Sequence, residues 1–163
     1  MDEDPDSRSQ IAVELLDESR RALSFQAASL DELRSRTGLV LTASSISASL
    51  LSTALARSND GPGPLGIVAG LAFVLSIWSC LWVLWPRKNE WIFTSSSTIL
   101  KADWVDMDRG DASEMRLTLA KFLEINYDQN KTKMDRLFTW FQVGAFSVGL
   151  GVILGSIYIA QST

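Results

Sequence analysis

The sequence predicts an all-α integral membrane protein with three transmembrane helices, an N-terminal cytosolic helix, and a long cytosolic helix continuous with the third span. Three observations carry this. First, charge is absent from Gly38–Ala56, Leu65–Trp85 and Leu137–Thr163, runs of 19, 21 and 27 residues in a chain of 163 that is 21% charged. About 20 apolar residues suffice to cross a bilayer as a helix. Second, the first two runs are joined only by the breaker-rich turn Ser58-Asn59-Asp60-Gly61-Pro62-Gly63-Pro64, which makes them an antiparallel hairpin. Third, fourteen of the fifteen Lys and Arg residues lie before the first run or between the second and third, Arg57 being the exception. Cytoplasmic loops collect such residues, so the N-terminus is expected in the cytoplasm and the C-terminus outside.

Composition removes several functions. The chain has no His and one Cys, Cys80, inside an apolar run. Disulfide scaffolds and Cys–His or Ser–His–Asp catalysis are excluded, and no zinc-ligand cluster or Gly-rich phosphate loop appears. The reading is a non-enzyme without cofactor or metal. A net charge of −4 argues against a nucleic-acid polymer as partner. The acidic start Met1-Asp2-Glu3-Asp4-Pro5-Asp6 lacks the basic-then-apolar pattern of a signal peptide, so the first span is expected to stay in the mature protein.

Residues 1–8 read as a disordered acidic lead. Residues 9–36 read as a cytosolic amphipathic helix, with Leu16, Leu23 and Leu30 seven apart. Ser19 and Gln26 interrupt the seam, leaving open a half-buried helix or an oligomerising coiled coil. Ser29-Leu30-Asp31-Glu32 fits a capping box, where a fresh helix is expected to start. The first span covers residues 38–57. Its Thr42, Ser45, Ser49 and Ser52 form one stripe with Gly38 and Ala56, while Leu39, Ile46 and Leu50 lie off it. Small and hydroxyl residues let helices approach closely, so the stripe is a packing seam or a face that lines water in an oligomer.

After the outside turn 58–64, the second span covers 65–86 and carries Gly66-Ile67-Val68-Ala69-Gly70, a small-xxx-small element. Trp82 and Trp85 suit an aromatic belt; the deeper Trp78 is expected to pack. Residues 87–136 form a cytosolic linker and helix. Its acidic stretch Asp103–Asp111 misses the spacing of an EF-hand and reads as a solvated loop. Asp111 and Glu114 cap a helix expected to run from Ala112 to about Ala160. The apolar face Met115, Leu119, Phe122, Leu123 gives way to Asn126, Asn130 and Lys133, either a wet interhelical contact or a ligand site.

The third span, 137–160, places Gly144, Ser147, Gly151, Gly155 and Tyr158 on one face and contains a strict GxxxG at Gly151. Two spans thus carry close-contact seams. One can satisfy the protomer, which leaves the other for a neighbouring copy or a pore. A homo-oligomer in the lipid bilayer is therefore expected. Gln142 is the only amide in a span, and the spans carry no ionisable group of the kind that marks transporter pathways.

The order of features resembles the transmembrane effectors of bacterial Pycsar anti-phage systems and, more loosely, the SLATT-type effectors linked to nucleotide signalling. The shared elements are a helix leading into a two-span hairpin, a Pro86-Arg87 stop, the aromatic Trp91-Ile92-Phe93, and a cytosolic helix with Asn130 and Lys133 ahead of the last span. The resemblance covers about residues 29–160 and its motifs are short. It implies an inner-membrane protein that senses a cyclic nucleotide, cyclic UMP or CMP, and oligomerises or opens to disrupt the membrane. Candidate ligand residues are then Arg87, Lys88, Trp91, Asn126, Tyr127, Asn130 and Lys133: cations for a phosphate, rings to stack on a base. Without that resemblance, the same cations fix topology and meet anionic headgroups. The alternatives are a membrane scaffold that binds a protein partner, or a constitutive small channel.

Overall fold

The computed structural model describes residues 5–57, 63–85, 91 and 112–162. They form three helices: α1 (Pro5–Arg57), α2 (Pro64–Leu84) and α3 (Ala112–Ser162). Each is long and apolar enough to cross a membrane.

The helix boundaries follow from local chemistry. α1 begins at Pro5, inside the stretch read as a disordered lead; proline's fixed φ suits a first helical turn. No second helix starts at Ser29. Neither proline nor glycine falls between Pro5 and Gly38, so α1 runs unbroken past the capping-box residues. α2 starts on Pro64 behind Gly63, whose carbonyl accepts the first helical bond from Ile67 N–H at 3.1 Å. It stops at Leu84, two residues short of the expected end. Trp85 turns to ψ 123° ahead of Pro86, as residues before proline do, while its N–H still reaches Leu81 O at 2.9 Å. α3 is continuous from Ala112, as its lack of breakers before Gly144 dictates. The turn 58–62 and the linker 92–111 lie outside the described residues.

The chain divides into two compact units, Met1–Leu30 with Arg87–Met134, and Asp31–Pro86 with Asp135–Thr163. In the first, Leu16, Leu23 and Leu123 form a buried cluster with Leu119 and Tyr127 packed against it. In the second, Leu51, Ala69, Phe73 and Tyr158 form the core, flanked by Ala48, Leu55, Leu65 and Leu154.

A seven-residue repeat sets which face is buried. On α1 the buried positions include Leu16, Leu23 and Leu30 in the first unit and Thr37, Ser44 and Leu51 in the second. On α3 the equivalent positions are Leu123 and Asn130, then Leu137, Gly144, Gly151 and Tyr158. A 3.5-residue period of this kind keeps one seam against a partner helix.

Candidate functional site

Two features of the second unit bear on function, the glycine ladder inside it and the hydroxyl face outside it. α2 and α3 pack antiparallel. A Cβ on Gly66 would lie 2.9 Å from Leu55 Cδ2 and 3.4 Å from the Tyr158 ring. One on Gly151 would lie 3.0 Å from two Phe73 ring carbons, and one on Gly144 would lie 3.3 Å from Ser79 Cβ and 3.4 Å from Cys80 Sγ. Trp82 and Trp140 close the ladder with centroids 5.9 Å apart. The seam of the third span (Gly144, Ser147, Gly151, Gly155) is therefore buried within the protomer.

α1 contributes a different set of residues from the stripe. Ser44, not Ser45 or Ser49, faces inward. Its Oγ donates to Val40 O at 2.8 Å and lies 2.9 Å from Ser76 Oγ, so Ser76 supplies the proton of that bond. Thr37 is wholly buried and donates to Leu33 O at 2.7 Å. Thr42, Ser45, Ser49 and Ser52 are exposed, as are Leu39, Ile46 and Leu50. Three of those hydroxyls are satisfied by their own helix. Thr42 donates to Gly38 O, Ser45 to Leu41 O and Ser49 to Ser45 O, at 3.0, 2.9 and 2.8 Å. Trp78, expected to pack, is 61% exposed, because the α2 face that turns inward is the one bearing Phe73, Ser76 and Cys80.

The first unit holds an amide layer. Gln26 and Asn126 are 4% and 3% exposed and Asn130 is fully enclosed. Gln26 Nε2 donates to Tyr127 O at 3.0 Å, which leaves Gln26 Oε1 without a partner; Asn126 Nδ2 is buried and lacks an acceptor among the described residues. Asn126 and Asn130 thus point into the helix pair rather than onto the accessible face that a ligand site requires. Tyr127 and Lys133 are half-buried, and so is Trp91. Arg87 and Lys88 lie outside the described residues, so the full candidate set is not assembled into one geometry. Beside the amide layer runs a groove of about 530 Å³. Leu15, Ala22, Leu117 and Leu123 form its apolar wall, and Glu18, Lys121 and Glu124 its charged rim.

An unpartnered buried amide costs about 1–3 kcal/mol. Asn126→Leu is therefore expected to stabilise the first unit by ~1 kcal/mol, read as slower hydrogen exchange in residues 112–134. Faster exchange there would show that Asn126 makes a bond worth more than the lost packing.

Ser44 and Ser76 were not singled out as packing residues from the sequence, whereas Asn126 was read as a wet interhelical contact or a ligand site. The signal that finds Ser44 is the continuation of the Leu16–Leu23–Leu30 repeat to 37, 44 and 51, which a search for apolar residues passes over.

These features define a class, an all-helical chain whose three long helices are apolar enough for a membrane and are zipped by small residues. No protein-family model, curated protein or solved structure matches the chain.

Proposed function

We propose that this chain is a multi-pass membrane protein that works by self-assembly in the bilayer and thereby permeabilises it. One observation carries the reading. Of the two close-contact seams, the glycine seam is consumed inside the protomer, while the face bearing Thr42, Ser45, Ser49 and Ser52 stays exposed. Because the Thr42, Ser45 and Ser49 hydroxyls bond their own backbone, three of the four donors on the face are already met when it rests against lipid. Another helix can still approach it closely. Such a face permits assembly without forcing it, which suits an effector that must stay silent until triggered.

The resemblance set out above supplies the setting: a bacterial inner-membrane effector, N-terminus inside, that answers cyclic UMP or CMP by assembling or opening during phage defence. The inward-facing Asn126 and Asn130 then require the first unit to rearrange if they are to touch a nucleotide. A second reading, a scaffold, rests on the groove between Leu15 and Leu117, whose apolar floor and charged rim suit an amphipathic helix of a protein partner.

The test is dye release from phosphatidylethanolamine–phosphatidylglycerol liposomes holding the full chain, with and without cyclic UMP or CMP. Release that depends on nucleotide and falls about tenfold or more in Ser49→Leu supports the effector. Release without nucleotide identifies a constitutive channel. No release under either condition leaves the scaffold.

A further inference from the structure

The outer face of α2 and α3 carries a groove of about 550 Å³ lined by Val68, Leu71, Leu75, Phe146 and Leu150, with Gln142 at one end. The lining is almost wholly apolar. Among the polar side chains of the three spans, Gln142 is the one amide, and it is exposed with no hydrogen-bond partner among the described residues. The Thr42, Ser44, Ser45, Ser49 and Thr53 hydroxyls of α1 bond back to their own helix, but an amide two methylenes from the backbone has no such outlet. It also lies two residues deeper into the run than Trp140, whose ring sits against Trp82. In a bilayer, acyl chains can fill the groove but cannot bond the amide, and an unmet polar group in hydrocarbon costs several kcal/mol.

We propose that this groove is the seat of a second copy of the chain, joined through a reciprocal Gln142–Gln142 pair. Copies inserted in one membrane share their orientation, so a two-fold axis between them lies along the membrane normal and equal residues meet at equal depth. A primary amide is self-complementary. Its nitrogen donates to the partner's oxygen while its oxygen accepts from the partner's nitrogen. Phe146, one turn further along α3 and 74% exposed, supplies a ring to fill the neighbour's groove. Gly149 lies on the exposed side of the same helix with no atom within 4 Å of a built Cβ, so the backbones can approach there. The contact is distinct from the α1 face. It rests on the bilayer reading but not on hydroxyl-mediated assembly, and it makes the resting unit a dimer.

The experiment is disulfide cross-linking of the full chain in phosphatidylethanolamine–phosphatidylglycerol vesicles, in a Cys80→Ala background. Gln142→Cys and Phe146→Cys are expected to give covalent dimers without nucleotide, and Ile46→Cys on α1 is not. In detergent, Gln142→Leu is expected to lower the dimer association constant by about tenfold, in line with two interhelical hydrogen bonds. Since Gln142 is exposed in the protomer, the helical content of that variant should be unchanged. Absence of cross-links at both positions, equal cross-linking at Ile46→Cys, or an unaltered dimer in Gln142→Leu each overturns the pairing. Loss of this dimer with Ser49-dependent dye release intact would reject the groove contact and leave the α1 face standing.

Discussion

Gly151→Leu is expected to prevent the α2–α3 ladder from closing. Even a methyl at this position would sit 3.0 Å from Phe73 Cε1 and Cζ, and the obstacle is the flank of a ring that is itself 2% exposed. The ring cannot swing away, because Leu51, Ala69 and Tyr158 surround it. Overpacking of a closed core costs about 1–3 kcal/mol for small additions; a whole isobutyl group should exceed that and separate the helices. The effect is graded along the same helix. Gly155→Ala meets Leu51 Cδ1 at an ordinary 3.6 Å and should be tolerated. Gly149→Ala meets nothing and should gain about 0.5–1 kcal/mol from helix propensity. Phe73→Ala combined with Gly151→Leu should recover part of the loss by exchanging the bulky partner. Resistance to unfolding in mixed micelles, followed by far-UV dichroism, checks the series. Equal stability of Gly151→Leu and Gly149→Ala would mean that the ladder does not hold the unit together.

Leu23→Asp should unfold the first unit while leaving the second folded. Leu23 is 2% exposed and shares a small cluster with Leu16 and Leu123. A carboxylate there forfeits the burial of a leucine, about 2 kcal/mol, and places an unpaired charge in the apolar cluster. The expected cost is ~4 kcal/mol, at the upper end for a point change. The unit has little else with which to resist, since its neighbouring layer is Gln26 and Asn126 with two unmet polar atoms. Hydrogen exchange is the readout. Amides of residues 10–30 and 112–134 should lose protection, and those of 64–84 and 140–158 should keep it. Loss of protection throughout would show that the two units melt as one cooperative body.

The helices were legible in the sequence because the signals that mark them are local: runs without charge, prolines at 64 and 86, and no breaker between Ala112 and Gly144. The glycine seam of α3 was legible for the same reason, since GxxxG is a spacing. The inward face of α1 was not. In water, burial is read from apolarity, and Leu16, Leu23 and Leu30 announce themselves. In a charge-free run apolarity no longer discriminates. The large side chains Leu39, Ile46 and Leu50 are exposed, while Ser44 is buried on the same face as Leu51. A row of seven hydroxyls then offers two faces, and only the Ser44–Ser76 pair decides between them. The capping box at Ser29 misled because its residue pattern is also compatible with a helix interior, where nothing forces a stop.

The hydroxyls that close onto carbonyls one turn back have a bearing on biogenesis. On the proposed membrane reading, the α1 segment has most of its hydroxyl donors met by its own backbone, so it can enter the bilayer singly, before any companion has been synthesised. The glycine-to-aromatic fit is then made laterally, between finished helices, in a second stage. On the same reading, closure of the ladder would accordingly wait for α3, the last of the three helices to be made, rather than for insertion of the first two.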